Sequence, residues 1–256
     1  MLPVPPPPNR RLLMSVDMQQ YSQRDNIAQY RAQQVFREAI TQATAAAGLD
    51  RSAWHVQQGG DSELAILPPD TSEPVVLDMF AVHLNRMLRQ ANRGLLPETK
   101  VRLRMAVHEG LVHLGGANGY PGDAVNFVCR LRDASILKRA LAAFPDACLA
   151  VIVSDPIYRD VVAQQYEGIR SDRFRKVDVH EPEKGFRAEA WMCVVDEDVR
   201  TLDLTAAAPS QAPEESRDPG SAMPGTYNVG TVHSTGALAI GANSSAYNMV
   251  RPEEMP

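Results

Sequence analysis

Apolar and polar residues recur along this chain with two periods, and the switches between them mark its elements. Arg11–Met18 (RLLMSVDM) is a nearly continuous apolar run and predicts a buried strand. From Asp25 to Gly48 the period becomes helical, with Ile27, Tyr30, Ala32, Val35, Phe36, Ile40 and Ala43 near one stripe and Gly48 as a stop. Trp54–Gln58 and Glu63–Leu67 flank Gly-Gly-Asp-Ser and predict a hairpin. A second helix is predicted over Ser72–Gly94, with Pro74 acceptable in its first turn. Lys100–Val107 alternates strictly, with Val101, Leu103, Met105 and Val107 on one face, and Gly110–Leu114 reads as its hairpin partner. A third helix is predicted over Gly122–Ala143 and an apolar strand over Ala147–Val153. A short helix over Asp155–Gln164 and a strand pair, Phe174–His180 and Arg187–Val195, complete the pattern. Two strand–helix–strand halves on one sheet predict an α+β fold, a ferredoxin-like βαββαβ-type sheet with helices on one face.

The periodicity stops after Val195. Asp196–Gly225 is rich in Ala, Pro, Ser and acids and reads as a disordered linker. Thr226–Val250 (TYNVGTVHSTGALAIGANSSAYNMV) holds no acid, Lys or Arg, and Arg251, Pro252, Glu253 and Glu254 follow it as gatekeepers would. The expected organisation is a leader over 1–9, a domain over 10–195, a linker over 196–225 and a distinct segment over 226–250. A net charge of -5, with Lys and Arg interleaved among acids, argues against a nucleic-acid partner. No segment is apolar and long enough for a membrane span. The start MLPVPPPPNRR puts prolines where a secretory signal needs an apolar helix, which points to a cytoplasmic protein. Cys129, Cys148 and Cys193 are odd in number, scattered and set among apolar residues, so they read as reduced core residues.

Candidate chemistry lies where these elements end. Asp17 closes the first strand and Asp61 stands at the hairpin tip, so two strands each bring one acid to an edge. Paired carboxylates of this kind suit hard divalent cations, which leave room for phosphate oxygens. Each also has an ordinary reading: Asp17 as a cap after a strand, Asp61 as turn chemistry. On the third helix, Asn126 and Arg130 are spaced i, i+4 and share a face, with Val125, Val128 and Cys129 on the other. A carboxamide and a guanidinium suit a ribose or phosphate, and equally a solvated helix face.

The stretches SVDMQQYS, QQGGDSELAIL, VRLRMAVHEGLV and GYPGDAVNFVCRL, in that order, resemble the catalytic domain of the class III nucleotidyl cyclases, the adenylate/guanylate cyclase family. The resemblance covers about residues 10–195. It implies that Asp17, the adjacent Met18 and Asp61 hold two Mg²⁺ or Mn²⁺ ions. It implies that Asn126 orients the ribose and Arg130 stabilises the transition state as a nucleoside triphosphate cyclises. It implies a head-to-tail homodimer in which each site takes its acids from one subunit and its Asn/Arg helix from the other. Lys184, in EPEKGF, becomes a candidate triphosphate contact, although a surface turn lysine is the simpler reading. His108 matches a family histidine in a turn and reads as structural.

The chain departs from the family where the base is chosen. Adenylate cyclases carry Lys and Asp there and guanylate cyclases Glu and Cys; this chain has Gln57 and Gly119, with Tyr120 beside them. A neutral Gln donates and accepts, so it does not select a base by charge. The bacterial antiphage pyrimidine cyclases also depart from the purine patterns, which leaves UTP and CTP open beside ATP and GTP. QQYS after Asp17 also lacks the usual Gly-Phe. In the tail, Tyr227-Asn228-Val229-Gly230 and Ala239–Asn243 resemble bacterial amyloid signalling motifs related to the RIP homotypic interaction motif, which implies a motif-mediated protein partner through 226–250. The alternative to an enzyme is a cyclase-like nucleotide-binding or scaffold module that signals through this tail.

Overall fold

Asn9–Met18 forms the first strand, β1, whose last seven residues are all buried. Burial on both faces of a strand requires cover above and below the sheet, and this governs the architecture. The computed structural model describes residues 6–116, 119–166 and 168–203. In chain order the elements are β1, α1 (Asn26–Ala46), β2 (His55–Gln58), β3 (Ser62–Ile66), α2 (Glu73–Val75), a π-turn (Val76–Phe80), α3 (Ala81–Ala91) and β4 (Leu103–Val112). There follow α4 (Asp123–Arg132), α5 (Ser135–Ala143), β5 (Leu149–Ser154), α6 (Asp155–Ile157), a second π-turn (Tyr158–Val162), β6 (Arg175–Glu181) and β7 (Phe186–Val194). The strands make one seven-stranded mixed sheet ordered β2-β3-β1-β4-β5-β7-β6. Among the described residues only β4 and β5 pair in parallel, Leu103 with Leu149 through Val107 with Val153; the other pairs are antiparallel.

The α+β class holds, but the helices cover both faces rather than one. Leu12, Met14, Val16 and Met18 of β1, with Leu103, Met105 and Val107 of β4, pack under α1 and α3. Leu13, Ala106, Ala150 and Ile152 pack on the opposite face under α4 and α5, through Val128, Leu131, Leu137 and Leu141. The sequence hides this second layer because its sheet positions alternate apolar residues with Ser15, Asp17, Arg104, His108 and Ser154. Those positions imitate a solvated face.

Two further differences bear on the site. Lys100–Val107 and Gly110–Leu114 are not hairpin partners: β4 runs through Gly110, and its whole length pairs with β1, from Met18 opposite Leu103 to Asn9 opposite Val112. Gly110 is there because α4 packs closely, since a Cβ at this position would lie 2.5 Å from Ala124 Cβ. Likewise Gly122–Ala143 is two helices. Asp133 N bonds Cys129 O and closes α4, while Ser135 N donates to Glu181 Oε1 at 2.7 Å and opens α5. The apolar spacing continues across this break with no Gly or Pro to mark it.

All three cysteines are free, and burial pushes the Cys193 thiol up to about 12. Among the described residues no helix is long and apolar enough to cross a membrane. The composition change after Val195 does not mark where packing stops. Asp196 accepts from Asn85 and Arg89, Val199 is buried, and Arg175 donates to the carbonyls of Val199 and Leu202. The rest of the expected linker and the segment 226–250 lie outside the described residues, as do residues 1–5 of the leader.

Candidate active site

Asp17 belongs to the second face, beside Arg104 on β4 and Ser62 on β3. β1 is an interior strand of the sheet, and Asp17 lies near its C-terminal end. Arg104 forks onto it, Nε donating to Oδ1 at 2.9 Å and Nη2 to Oδ2 at 2.5 Å. Arg132, from the end of α4, brings its Nε to 3.7 Å from Oδ2. Burial pushes the Asp17 carboxyl up to about 6, against the pull of Arg104 and Arg132. Asp61 lies on the β2–β3 turn, where its backbone carbonyl accepts from Met18 N, next to Asp17 in the chain, at 2.9 Å.

Among the described residues no group of three or more His, Cys, Asp or Glu side chains is gathered for a metal ion. The donors available are all oxygens: the carboxylates of Asp17 and Asp61 and the carbonyl of Met18. Gln19 Oε1, on the residue after Met18, is buried without a partner. Arg104 uses one lone pair on each Asp17 oxygen and leaves others, since an ionised carboxylate has about four acceptor sites. This set fits a hard divalent cation, which takes oxygen ligands and keeps several waters.

The second half of the site is built by α4. Asn126 is exposed on it. The Arg130 guanidinium lies 5.6 Å over the Phe186 ring. Behind it is a packed column: Phe186 meets Phe127 edge-on at 5.3 Å, Phe127 lies 4.4 Å from His108, and His108 Nδ1 shares a 2.9 Å hydrogen bond with Ser154 Oγ. His108 is thus a support for the arginine's platform, in keeping with the structural role expected of it. Lys184, on the turn between β6 and β7, pairs with Asp133 at 3.6 Å. The fold therefore gathers Arg130 and Lys184 at one end of α4.

His108 also makes a stability prediction. Burial first, and then the charge of Arg10, lower its imidazole from 6.5 to about 4. An unfolded chain takes up this proton near 6.5 and the folded one only near 4, so the group's contribution is complete above 6.5 and is lost as pH falls toward 4. His108→Gln should therefore flatten the fall in unfolding free energy between about pH 7 and about pH 4.5 by on the order of 1 kcal/mol. Urea unfolding at both pH values measures this, and equal slopes in the two proteins would refute it.

Gln57 and Gly119 do meet. Gly119 has φ 97, and a Cβ there would stand 2.9 Å from Gln57 Oε1. A side chain at this position would be strained in backbone and would strike the glutamine. Tyr120 stacks edge-on against His55 at 6.1 Å, and His55 shares a strand face with Gln57. Among the described residues no hydrogen bond or ion pair links this pair to Asp17 or Arg130.

Sequence reading missed Arg104, Arg132, Asp133, Phe127 and Phe186. Arg104 carried a faint signal, as a charge opposite the apolar stripe of its own strand, but its partner is fixed only by the β1–β4 register.

No family model and no curated protein matches the chain. Solved structures do. The adenylate/guanylate cyclase/hydrolase from Silicibacter pomeroyi superposes with a TM-score of 0.54 at 21% identity, over 74% of this chain and 99% of that one. A bacterial light-regulated adenylyl cyclase gives 0.49 at 15% identity, over 77% of this chain and 56% of that one, and the guanylyl cyclase Cya2 gives 0.47 at 12%, over 73% and 91%. Only the first of these scores is high enough to weigh, and at such identity it speaks to the fold. The chain has the α+β architecture of a class III nucleotidyl cyclase catalytic domain.

Proposed function

We propose that the chain is a nucleotidyl cyclase, converting a nucleoside triphosphate into a 3′,5′-cyclic mononucleotide and pyrophosphate at the interface of a homodimer. What supports this reading is Asp17 with the Asp61 backbone bonded to the neighbouring Met18 at the end of β1, and Arg130 and Lys184 at the end of α4. A divalent cation, Mg²⁺ or Mn²⁺, bound by Asp17, Asp61 and the Met18 carbonyl would favour ionisation of the attacking 3′-hydroxyl and offset charge on the leaving oxygens. The remaining work is positioning and charge. Arg130, held by its aromatic platform, meets the negative charge that grows on the α-phosphate. Lys184 meets the triphosphate, and Asn126 is free to hold the ribose. Gln57 offers the base one amide group, with no charge and no second side chain at Gly119, which keeps the pyrimidine triphosphates UTP and CTP beside ATP and GTP. A cytoplasmic signalling role, in stress or phage defence, with the segment 226–250 recruiting a partner of like motif, completes the proposal.

One observation favours a second reading, a nucleotide-binding scaffold without turnover: both Asp17 oxygens are engaged by Arg104. A single experiment separates the two. Purified full-length chain is incubated with each of the four triphosphates and Mn²⁺, and products are resolved by mass. The cyclase reading requires a cyclic mononucleotide and pyrophosphate from at least one of them. Binding of triphosphate with no product from any would establish the scaffold.

A further inference from the structure

Arg132 touches two elements and a neighbouring acid at once. Its Nη1 donates to Ser15 Oγ on β1 at 3.0 Å, and its Nε and Nη2 donate to Asp133 Oδ1 at 3.0 and 2.8 Å. The same Nε stands 3.7 Å from Asp17 Oδ2, with the Arg132 side chain only 15% exposed. Asp133 in turn holds Lys184 through its other oxygen at 3.6 Å. Charges alternate along this line: Asp17 negative, Arg132 positive, Asp133 negative, Lys184 positive. The planar fork of a guanidinium fixes the directions of its bonds, so Arg132 cannot strengthen one contact without loosening another.

The two ends of the line have different duties in the function proposed above, on which this inference rests. Asp17 serves the site that holds the cation. Arg130, two residues before Arg132, and Lys184 serve substrate in the other site of a head-to-tail dimer. We propose that Arg132 is a positioning residue that couples the two sites through the body of one subunit. A cation at Asp17 competes with Arg132 for the same oxygen. Arg132 then turns toward Asp133, which slackens Asp133 on Lys184 and shifts the last turn of α4, where Arg130 stands.

The variants are Arg132→Met, which keeps the volume and loses the charge, and Arg132→Lys, which keeps the charge and loses the fork. Their folding is checked by circular dichroism. Titration of Mn²⁺ into the full-length protein is the first readout. Arg132→Met should bind Mn²⁺ about threefold or more tighter, the sense expected when a like charge beside a ligand is removed. Its kcat should nevertheless fall about tenfold or more, the usual cost of losing a ligand's supporting partner. Arg132→Lys should keep the wild-type Mn²⁺ affinity without regaining kcat. A merely structural role would weaken both quantities together, and that result would overturn the proposal.

The second readout uses mixed dimers of an Asp61→Ala chain with an Arg130→Ala chain, which retain one intact site. That site takes its acids from the Arg130→Ala chain and its Asn126 and Arg130 from the Asp61→Ala chain. Arg132→Met is then placed in either chain. Coupling predicts a loss of rate from both placements. A loss only when it accompanies the site's own Asp17 would overturn the coupling and leave the shared site standing. A parent mixture with no activity, despite subunit exchange, would overturn the shared site and the coupling with it.

Discussion

Asp61→Ala should lower turnover about a hundredfold or more while leaving the fold intact, because a bound cation contributes several kcal/mol to such a reaction. The asymmetry with Asp17 makes the test sharp. Asp61 is held at the hairpin tip through its backbone carbonyl, which accepts from Met18 N, and a backbone contact survives truncation of the side chain. Asp17→Ala must behave otherwise. Asp17 is 6% exposed and takes both prongs of the Arg104 fork, with Arg132 3.7 Å away. Removing one partner of a buried pair leaves uncompensated charge and typically costs about 3–5 kcal/mol. Asp17→Ala should therefore lose activity and stability together, whereas Asp61→Ala loses activity alone. Thermal unfolding and cyclase assays well below either midpoint separate the two effects. An Asp61→Ala protein that keeps near-full rate with Mn²⁺ would remove the cation site from this reading.

Mixing the inactive Asp61→Ala chain with the inactive Arg130→Ala chain should restore activity. In the proposed head-to-tail dimer one of the two mixed sites is then wholly native and the other lacks both groups. Random exchange makes about half of the dimers mixed, and each carries one good site of two, so about a quarter of the wild-type rate per subunit is expected from simple statistics on a symmetric dimer. Arg130→Ala should itself fold, since its guanidinium rests on the Phe186 ring and, among the described residues, closes no buried ion pair. Labelled subunits must be shown to exchange. A mixture that exchanges yet stays inactive would mean that the acids and the arginine do not complete one another's site.

Part of this site was legible in the chain and part was not, and the division is physical. Asp17, Asp61, Asn126 and Arg130 stand at element ends or share a helix face, and such positions follow from local period alone. Gln57 and Gly119 are far apart in sequence, and their contact depends on a φ of 97 at Gly119 that no neighbouring residue dictates. The partners of Asp17 were out of reach for a related reason. Arg104 meets it only through the β1–β4 register, and Arg132 only because α4 ends above β1. A charged residue alternating with apolar ones looks the same whether it faces water or a second layer of helices.

The sequence by itself determined that this is an α+β chain of alternating strands and helices, because hydrophobic period is a local property written in adjacent residues. It also determined which polar side chains stand at the ends of those elements. Only the tertiary structure decided that the sheet is covered on both faces, that β4 is one strand through Gly110, and that the third helix breaks at Asp133. Each of those depends on what packs across the sheet, where Ala124 presses on Gly110 and Glu181 caps Ser135. Only the tertiary structure, too, joined Asp17 to Arg132, Asp133 and Lys184, since an ion pair is specified by distance in space and the chain separates Asp17 from the other three by more than a hundred residues.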